Sequence, residues 1–214
     1  MAVFSQLRAT QATETGWLKS EIVLIKNYQQ NEQIIDQDEG ICPQTNLTIL
    51  AKLKPTFREQ GVFTARNSSQ SSDGAAAVIL ANQKAVEGYQ MKPLARFLGG
   101  VCVGGVNWRF PEMPIFAVKK LLEQLKMKID DFDLFENNEA FALNNILFHR
   151  LLGVSHEKLN VFGGAIALGH PIGASGARII VTLLNTLQRK NSHLGIATIC
   201  HGTGGGVAIA LERV

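Results

Sequence analysis

The sequence predicts an α/β fold in which helices are layered on a mixed sheet. Three observations predict it. From residue 75 onward, short apolar runs alternate with stretches of helical periodicity. Two apolar runs, 194–200 and 207–211, flank a glycine-rich turn, as antiparallel neighbours do. Hydrophobic residues make up 46% and charged residues 18% of 214 positions, enough apolar material for one large domain with an appended segment.

Residues 1–74 read as polar and irregular. A helix is expected over 7–21, a short strand over 22–25 and an exposed charged loop over 26–44. Thr45 can cap a short helix running to Lys54, where Pro55 stops it. The run 75–81 is apolar and of strand length, and 82–89 is a connection or short helix. A second strand, bent by its glycines, is expected over 93–106. Val118, Leu121, Leu122 and Leu125 recur at i, i+3, i+4, i+7, the stripe of an amphipathic helix. A strand at 133–135 and a helix at 138–152 follow. Residues 160–167 lead into a glycine-rich turn, after which Ile180, Leu183, Leu184 and Leu187 repeat the helical spacing.

Charge excludes some functions. The net charge is +3, both signs are scattered, and no Lys/Arg run marks a nucleic-acid or membrane patch. Cys42, Cys102 and Cys200 have no CxxC or paired spacing, which argues against a disulfide framework or zinc site and for a reducing compartment. Residues 1–10 lack a long apolar core, and no apolar run is long enough to span a bilayer. A soluble, cytoplasmic protein is the expectation.

Three motifs carry chemistry. In the stretch from Gly163 to Arg178, His170 stands between Gly169 and Pro171, where a side chain is displayed rather than packed. Gly173, Ala174, Ser175, Gly176 and Ala177 then let the backbone approach a ligand closely before a helix begins. No Gly-Lys-Ser/Thr follows, so this is not a phosphate loop. In Cys200-His201-Gly202-Thr203-Gly204-Gly205-Gly206, a thiol ends a buried strand against a turn whose unshielded N–H groups suit an oxyanion. Such a thiol can serve as an acid, or as a base if a neighbour lowers its pKa; the plain alternative is a buried structural cysteine. In Glu136-Asn137-Asn138-Glu139-Ala140-Phe141, Asn138 is either a helix N-cap or a polar group facing a site.

Taken in this order, and with 50–57 and 64–77 upstream, these motifs resemble the signatures of the thiolase family (acetyl-CoA acetyltransferases and 3-ketoacyl-CoA thiolases), in its carboxy-terminal half, over essentially the whole chain. The resemblance implies a thiolase-like layered fold with a mixed five-stranded sheet. It divides the chain into a loop-domain remnant at 1–74, the last strand and helix of an amino-terminal domain at 75–90, and a carboxy-terminal domain at 91–214. It implies acyl transfer in which a 3-ketoacyl-CoA and CoA give two acyl-CoA molecules, or the reverse Claisen condensation, as in fatty acid metabolism. His170, Cys200, Asn138 and Gly202 would be the catalytic residues. Ser69, Ala140 and Phe141 would touch the pantetheine arm of CoA. No metal and no cofactor beyond CoA and acyl-CoA as substrates is implied.

The family's nucleophile sits in a Cys-x-Ser/Gly segment that these 214 residues do not contain. The resemblance therefore implies a partner, a separate amino-terminal half, without which the chain does not turn over. Family members usually form homo-oligomers. Two other readings stand beside this one: a non-catalytic truncated remnant or interaction module, and a decarboxylating ketoacyl synthase, in which a histidine would replace Cys200. Arg66, Gln70 and Phe162 depart from the family pattern in ways that imply crowding of the CoA channel.

Overall fold

A computed structural model describes every residue except 29–31. The first helix, α1 (Ala2–Glu14), starts earlier and ends sooner than the expected 7–21, because Gly16 takes a left-handed φ of 71° and a 3-10 turn follows at Trp17–Ser20. Next come β1 (Ile25–Asn27) and β2 (Gln33–Ile35), which pair antiparallel; the strand expected over 22–25 begins only at Ile25 and runs on into the segment read as a loop, of which residues 29–31 lie outside the described ones. The helix α2 (Leu47–Ala51) is capped by Asn46, whose Oδ1 accepts from the Ile49 N–H at 3.0 Å, not by the buried Thr45. The short α3 is Gln83–Gly88.

The main body follows: β3 (Ala95–Gly104), α4 (Met113–Leu125), β4 (Leu134–Asn137), α5 (Ala142–Leu152), α6 (Ala165–Leu168), α7 (Ser175–Arg189), β5 (Leu194–His201) and β6 (Gly205–Arg213). The sheet order is β3-β6-β5-β4, with β4 and β5 parallel and the other pairs antiparallel. It is mixed, as expected, but has four strands instead of five. Among the described residues, the fifth place, beside β4, holds a Phe135–Leu159 bridge with the Asn160 N–H on the Phe135 carbonyl at 2.8 Å, and the Asn160 side chain in place of further backbone on the Asn137 N–H and carbonyl, each at 2.8 Å. Gly163, at φ 89°, turns the chain away before a ladder can form. The bend expected in β3 is a bulge between Phe97 and Gly99.

Alternation along the strands divides the core between the two faces. Val101, Phe135, Ile196, Ala208 and Ala210 meet Val118 and Leu121 of α4 and Phe148 of α5. Leu134, Ala197 and Leu211 meet Ile179, Leu183 and Leu187 of α7. Phe135 and Phe148 pack edge to face with centroids 5.8 Å apart, and burial of each contributes about 2–3 kcal/mol. The result is a sheet between two helical layers, the α/β architecture read from the sequence.

The run 75–81 forms no ladder among the described residues, and Ile79 and Leu80 are 86% and 84% exposed. Its composition reads as a buried strand, but a strand also needs a neighbour to take its N–H and C=O groups. By contrast, α1 is firmly docked despite its polar sequence. Ala9 and Ala12 are buried, and a Cβ on Gly163 would lie 2.7 Å from both the Ala9 Cβ and the Ser5 carbonyl. Only glycine permits that approach.

Candidate active site

The predicted residues gather beyond the carboxy ends of β4 and β5. Asn138 follows β4 directly, and its N–H donates to the Thr198 carbonyl at 2.9 Å, two residues before Cys200. Asn138 is not a cap, because α5 begins four residues later at Ala142, with Phe141 at the N-cap position. Phe141 has no side-chain oxygen to offer the helix end. Instead, Asn144 Oδ1 accepts the Phe141 N–H at 2.9 Å and the Asn67 carbonyl takes the Ala142 N–H at 2.8 Å. This frees Asn138 to face the site, with its Nδ2 3.4 Å from His170 Nε2.

His170 is held from both sides. Its backbone N–H donates to the Gln70 carbonyl at 2.9 Å, and a bridge joins it to Ser71. Its Nδ1 lies 2.6 Å from Ser175 Oγ, whose own hydrogen goes to the Pro171 carbonyl at 2.9 Å. With that hydrogen spent, Ser175 accepts from His170 Nδ1–H, which leaves Nε2 as the ring's lone pair in the neutral form. Burial, then the nearby Arg178 guanidinium, hold the imidazole below its ordinary pKa. A neutral ring with Nε2 unprotonated is a base.

Cys200 is the opposite case. It is 6% exposed, and burial pushes its thiol up to about 11, although an Asn144 Nδ2 contact at 3.4 Å opposes the shift. At pH 8 the thiolate fraction is roughly one in a thousand. We therefore expect iodoacetamide at pH 8 to label Cys102, which is exposed on the edge strand β3, while Cys200 stays unmodified. Peptide mass mapping reads the order, and rapid labelling of Cys200 would contradict it.

No hydrogen bond joins His170 to Cys200 among the described residues. The segment 138–144 connects them instead, with Asn138 at one end on the imidazole and Asn144 at the other on the thiol. Gly202 lies in the turn between β5 and β6, where an added Cβ would meet open space. Ser69 donates its N–H to the Ala140 carbonyl at 2.9 Å, which seats 67–71 against the same segment. Phe141 meets Phe63, Phe57 and Phe110 at centroid distances of 4.7, 5.9 and 6.1 Å. A surface concavity lined by Phe57, Arg58, Val62 and Phe63 opens beside it.

The three residues expected to crowd a CoA channel have partners of their own. Phe162 is fully buried against Trp17 at 5.2 Å, Gln70 Nε2 donates to the Gly40 and Ile166 carbonyls at 3.2 and 3.3 Å, and Arg66 Nη1 lies 2.7 Å from Cys42 Sγ.

Beneath the site lies a cluster of charges that the sequence did not reveal. Glu139 is 1% exposed and ties three elements together. It accepts from Ser5 Oγ at 2.6 Å, Asn145 Nδ2 at 2.8 Å and the Ile166 N–H at 3.3 Å. Glu136 is equally buried, and burial pushes its carboxyl well above the usual range. Glu21 is raised to about 7 by burial, against hydrogen bonds from Asn185 and Thr182 at 3.2 Å each. Unfolded, Glu21 loses its proton near 4.5; folded, it keeps it to about 7. Its stabilising contribution is therefore whole below pH 4.5, falls as the pH rises to about 7 and is flat above. Glu21→Gln preserves the amide and hydroxyl contacts. It is expected to remove that slope and to stabilise the chain at pH 8 by on the order of 3 kcal/mol, read from urea melts at pH 4.5 and 8.

Comparison with known proteins agrees with this architecture. Residues 91–213 match the model described as thiolase, C-terminal domain, and residues 1–84 match thiolase, N-terminal domain. The acetyl-CoA acetyltransferase of Synechocystis sp. is 57% identical over 215 residues, covering 100% of this chain and 54% of the relative. A crystal structure of the Bacillus anthracis acetyl-CoA acetyltransferase superposes with a TM-score of 0.96 at 36% identity, over 100% of this chain and 54% of that one. Human mitochondrial 3-ketoacyl-CoA thiolase in complex with CoA gives 0.92 at 36% identity, covering 100% and 53%. The chain belongs to the thiolase family. It spans about half the length of the curated relatives it matches. Among the described residues, no helix is long and apolar enough to cross a membrane, and no group of three or more His, Cys, Asp and Glu side chains is placed to hold a metal ion.

Proposed function

We propose that this chain is the acid–base half of a thiolase-type acyltransferase whose nucleophilic cysteine is carried by a separate amino-terminal half. The observation that carries the reading is the pairing of a base with an acid: an imidazole whose Nε2 is left unprotonated and a buried thiol that holds its proton, on the two ends of 138–144. Catalysis by proton transfer needs one group to accept and another to donate at neutral pH.

The nucleophile's S–H proton goes to His170 Nε2 as the sulfur attacks the keto carbon of a 3-ketoacyl-CoA. The C–C bond then breaks, leaving an acyl-enzyme and the enolate of acetyl-CoA, which takes the Cys200 proton at its α-carbon. CoA returns a proton to Cys200 and attacks the acyl-enzyme. The nucleophile leaves as the thiol by recovering the proton from His170. Imidazolium Nε2–H and Asn138, acting through a water, face the enolate oxygen, and the Gly202 N–H faces the acyl oxyanion. Ser69, Ala140 and Phe141 lie along the pantetheine arm, with no metal and no cofactor beyond CoA itself.

None of the three cysteines here suits the nucleophile's part. Among the described residues, no hydrogen bond links Cys42 or Cys102 to His170, whose side-chain partners are Asn138 and Ser175, and Cys200 holds its proton. The partner half would also cover Ile79, Leu80, Tyr89 and Phe97, which are 55% to 86% exposed. In this reading 1–74 is loop domain, 75–90 completes the partner's domain, and 91–214 is the carboxy-terminal domain, for which the match at 91–213 is the support. Homo-oligomers of the two-chain enzyme and a cytoplasmic setting belong to the same reading. Thiolysis of acetoacetyl-CoA by CoA tests it. We expect turnover when an amino-terminal half with a Cys-x-Ser/Gly segment is added and none without it. Silence of the mixture would leave the non-catalytic remnant.

A further inference from the structure

Arg178 takes no part in the proton transfers above, yet it reaches the site. Its Nη2 donates to Asn138 Oδ1 at 3.3 Å, while its Nε and Nη1 are buried and, among the described residues, without a hydrogen-bond partner. The surrounding carboxyls come from separate parts of the chain. Glu21, Asp38, Glu136 and Glu139 all feel its charge, which opposes the effect of burial on each. Burying a guanidinium with two of its nitrogens unpaired costs free energy, which the surrounding carboxyls offset only in part.

The geometry is that of an amide with two nearly isosteric ends. Asn138 Oδ1 faces the guanidinium and its Nδ2 faces His170 Nε2 at 3.4 Å. Turned over, the amide would set N–H groups against a cation and a carbonyl lone pair against the Nε2 lone pair. Both contacts are long, so neither is strong alone. Together they select one orientation, the one that points an N–H donor into the site. Arg178 and Ser175 both lie on α7, three residues apart, so one helical face sets the amide and the imidazole at once.

We infer that Arg178 is a positioning residue: its guanidinium fixes the Asn138 amide donor-inward beside His170. The inference rests on the proposed acyl transfer only for its catalytic consequence, so the decisive readout does not use activity. Among the described residues, Arg178 is the charged group acting on His170, and the other cause of its shift is burial.

The experiment is NMR of the full chain with 15N-labelled histidine and asparagine, for the parent, Arg178→Gln and Arg178→Lys. We expect Arg178→Gln to raise the His170 titration midpoint and to shift or double the Asn138 side-chain NH2 signals. Arg178→Lys, which keeps the charge but loses the fork, should hold the midpoint near that of the parent while moving the NH2 signals. In the two-chain enzyme, Arg178→Gln should lower kcat by on the order of 10- to 100-fold with little change in KM. If Arg178→Gln does not fold, Arg178→Lys still decides, because unchanged Asn138 signals would overturn the inference. So would a folded Arg178→Gln in which both signals match the parent. A silent two-chain assay with altered NMR signals would count against the acyl-transfer reading and not against Arg178.

Discussion

Replacing His170 by alanine is expected to lower acyl transfer by the two-chain enzyme by on the order of 10⁴-fold, with the fold intact. A thiol nucleophile near its reference pKa of about 8.5 is only a few per cent thiolate at neutral pH. The missing base would leave that fraction unassisted and would remove the imidazolium donor from the enolate oxygen. The side chain is half-buried and belongs to neither hydrophobic layer, so its loss leaves both untouched. Steady-state thiolysis measures the effect, with the backbone amide spectrum as the control for folding. A residual rate within tenfold of the parent would remove His170 from the chemistry.

Cys200→Ser is expected to cost roughly 10²–10⁴-fold. The hydroxyl keeps a polar atom for Asn144 Nδ2, which now lies 3.4 Å from the sulfur, and nearly keeps the volume. What it loses is acidity. A thiol raised to about 11 can still protonate a thioester enolate, whereas an alkanol is a far weaker acid. The deficit should fall both on C–C cleavage, where Cys200 protonates the enolate, and on exchange with CoA, where it takes the proton of the attacking thiol. A residual rate within tenfold of the parent in both half-reactions would remove Cys200 from the proton transfers.

The sequence made some of this legible. The stripes on α4 and α7 and the paired runs of β5 and β6 appear because core burial imposes a period on side chains. His170 stood out because glycine and proline neighbours leave it nothing to pack on. The partners that define its chemistry did not stand out. Ser175 sits among small residues chosen for close approach, and nothing marks it as the acceptor for Nδ1–H. Asn144 and Arg178 act across 33 to 56 residues of chain, a separation that periodicity does not report. One clue was available: Ser175, Arg178, Thr182 and Asn185 recur at helical spacing as a polar stripe on α7, opposite its apolar one. The run 75–81 failed in the other direction, since its composition speaks of burial by a surface that this chain does not provide.

Where the acyl group rests is the sharpest measure of the division of labour between the two chains. Acetyl-CoA is added to this chain together with an amino-terminal half, and the intact mass of each polypeptide is recorded before CoA is supplied. One acetyl adduct on the added half and none on this chain is the predicted result. An acetyl group on Cys42, Cys102 or Cys200 would contradict it.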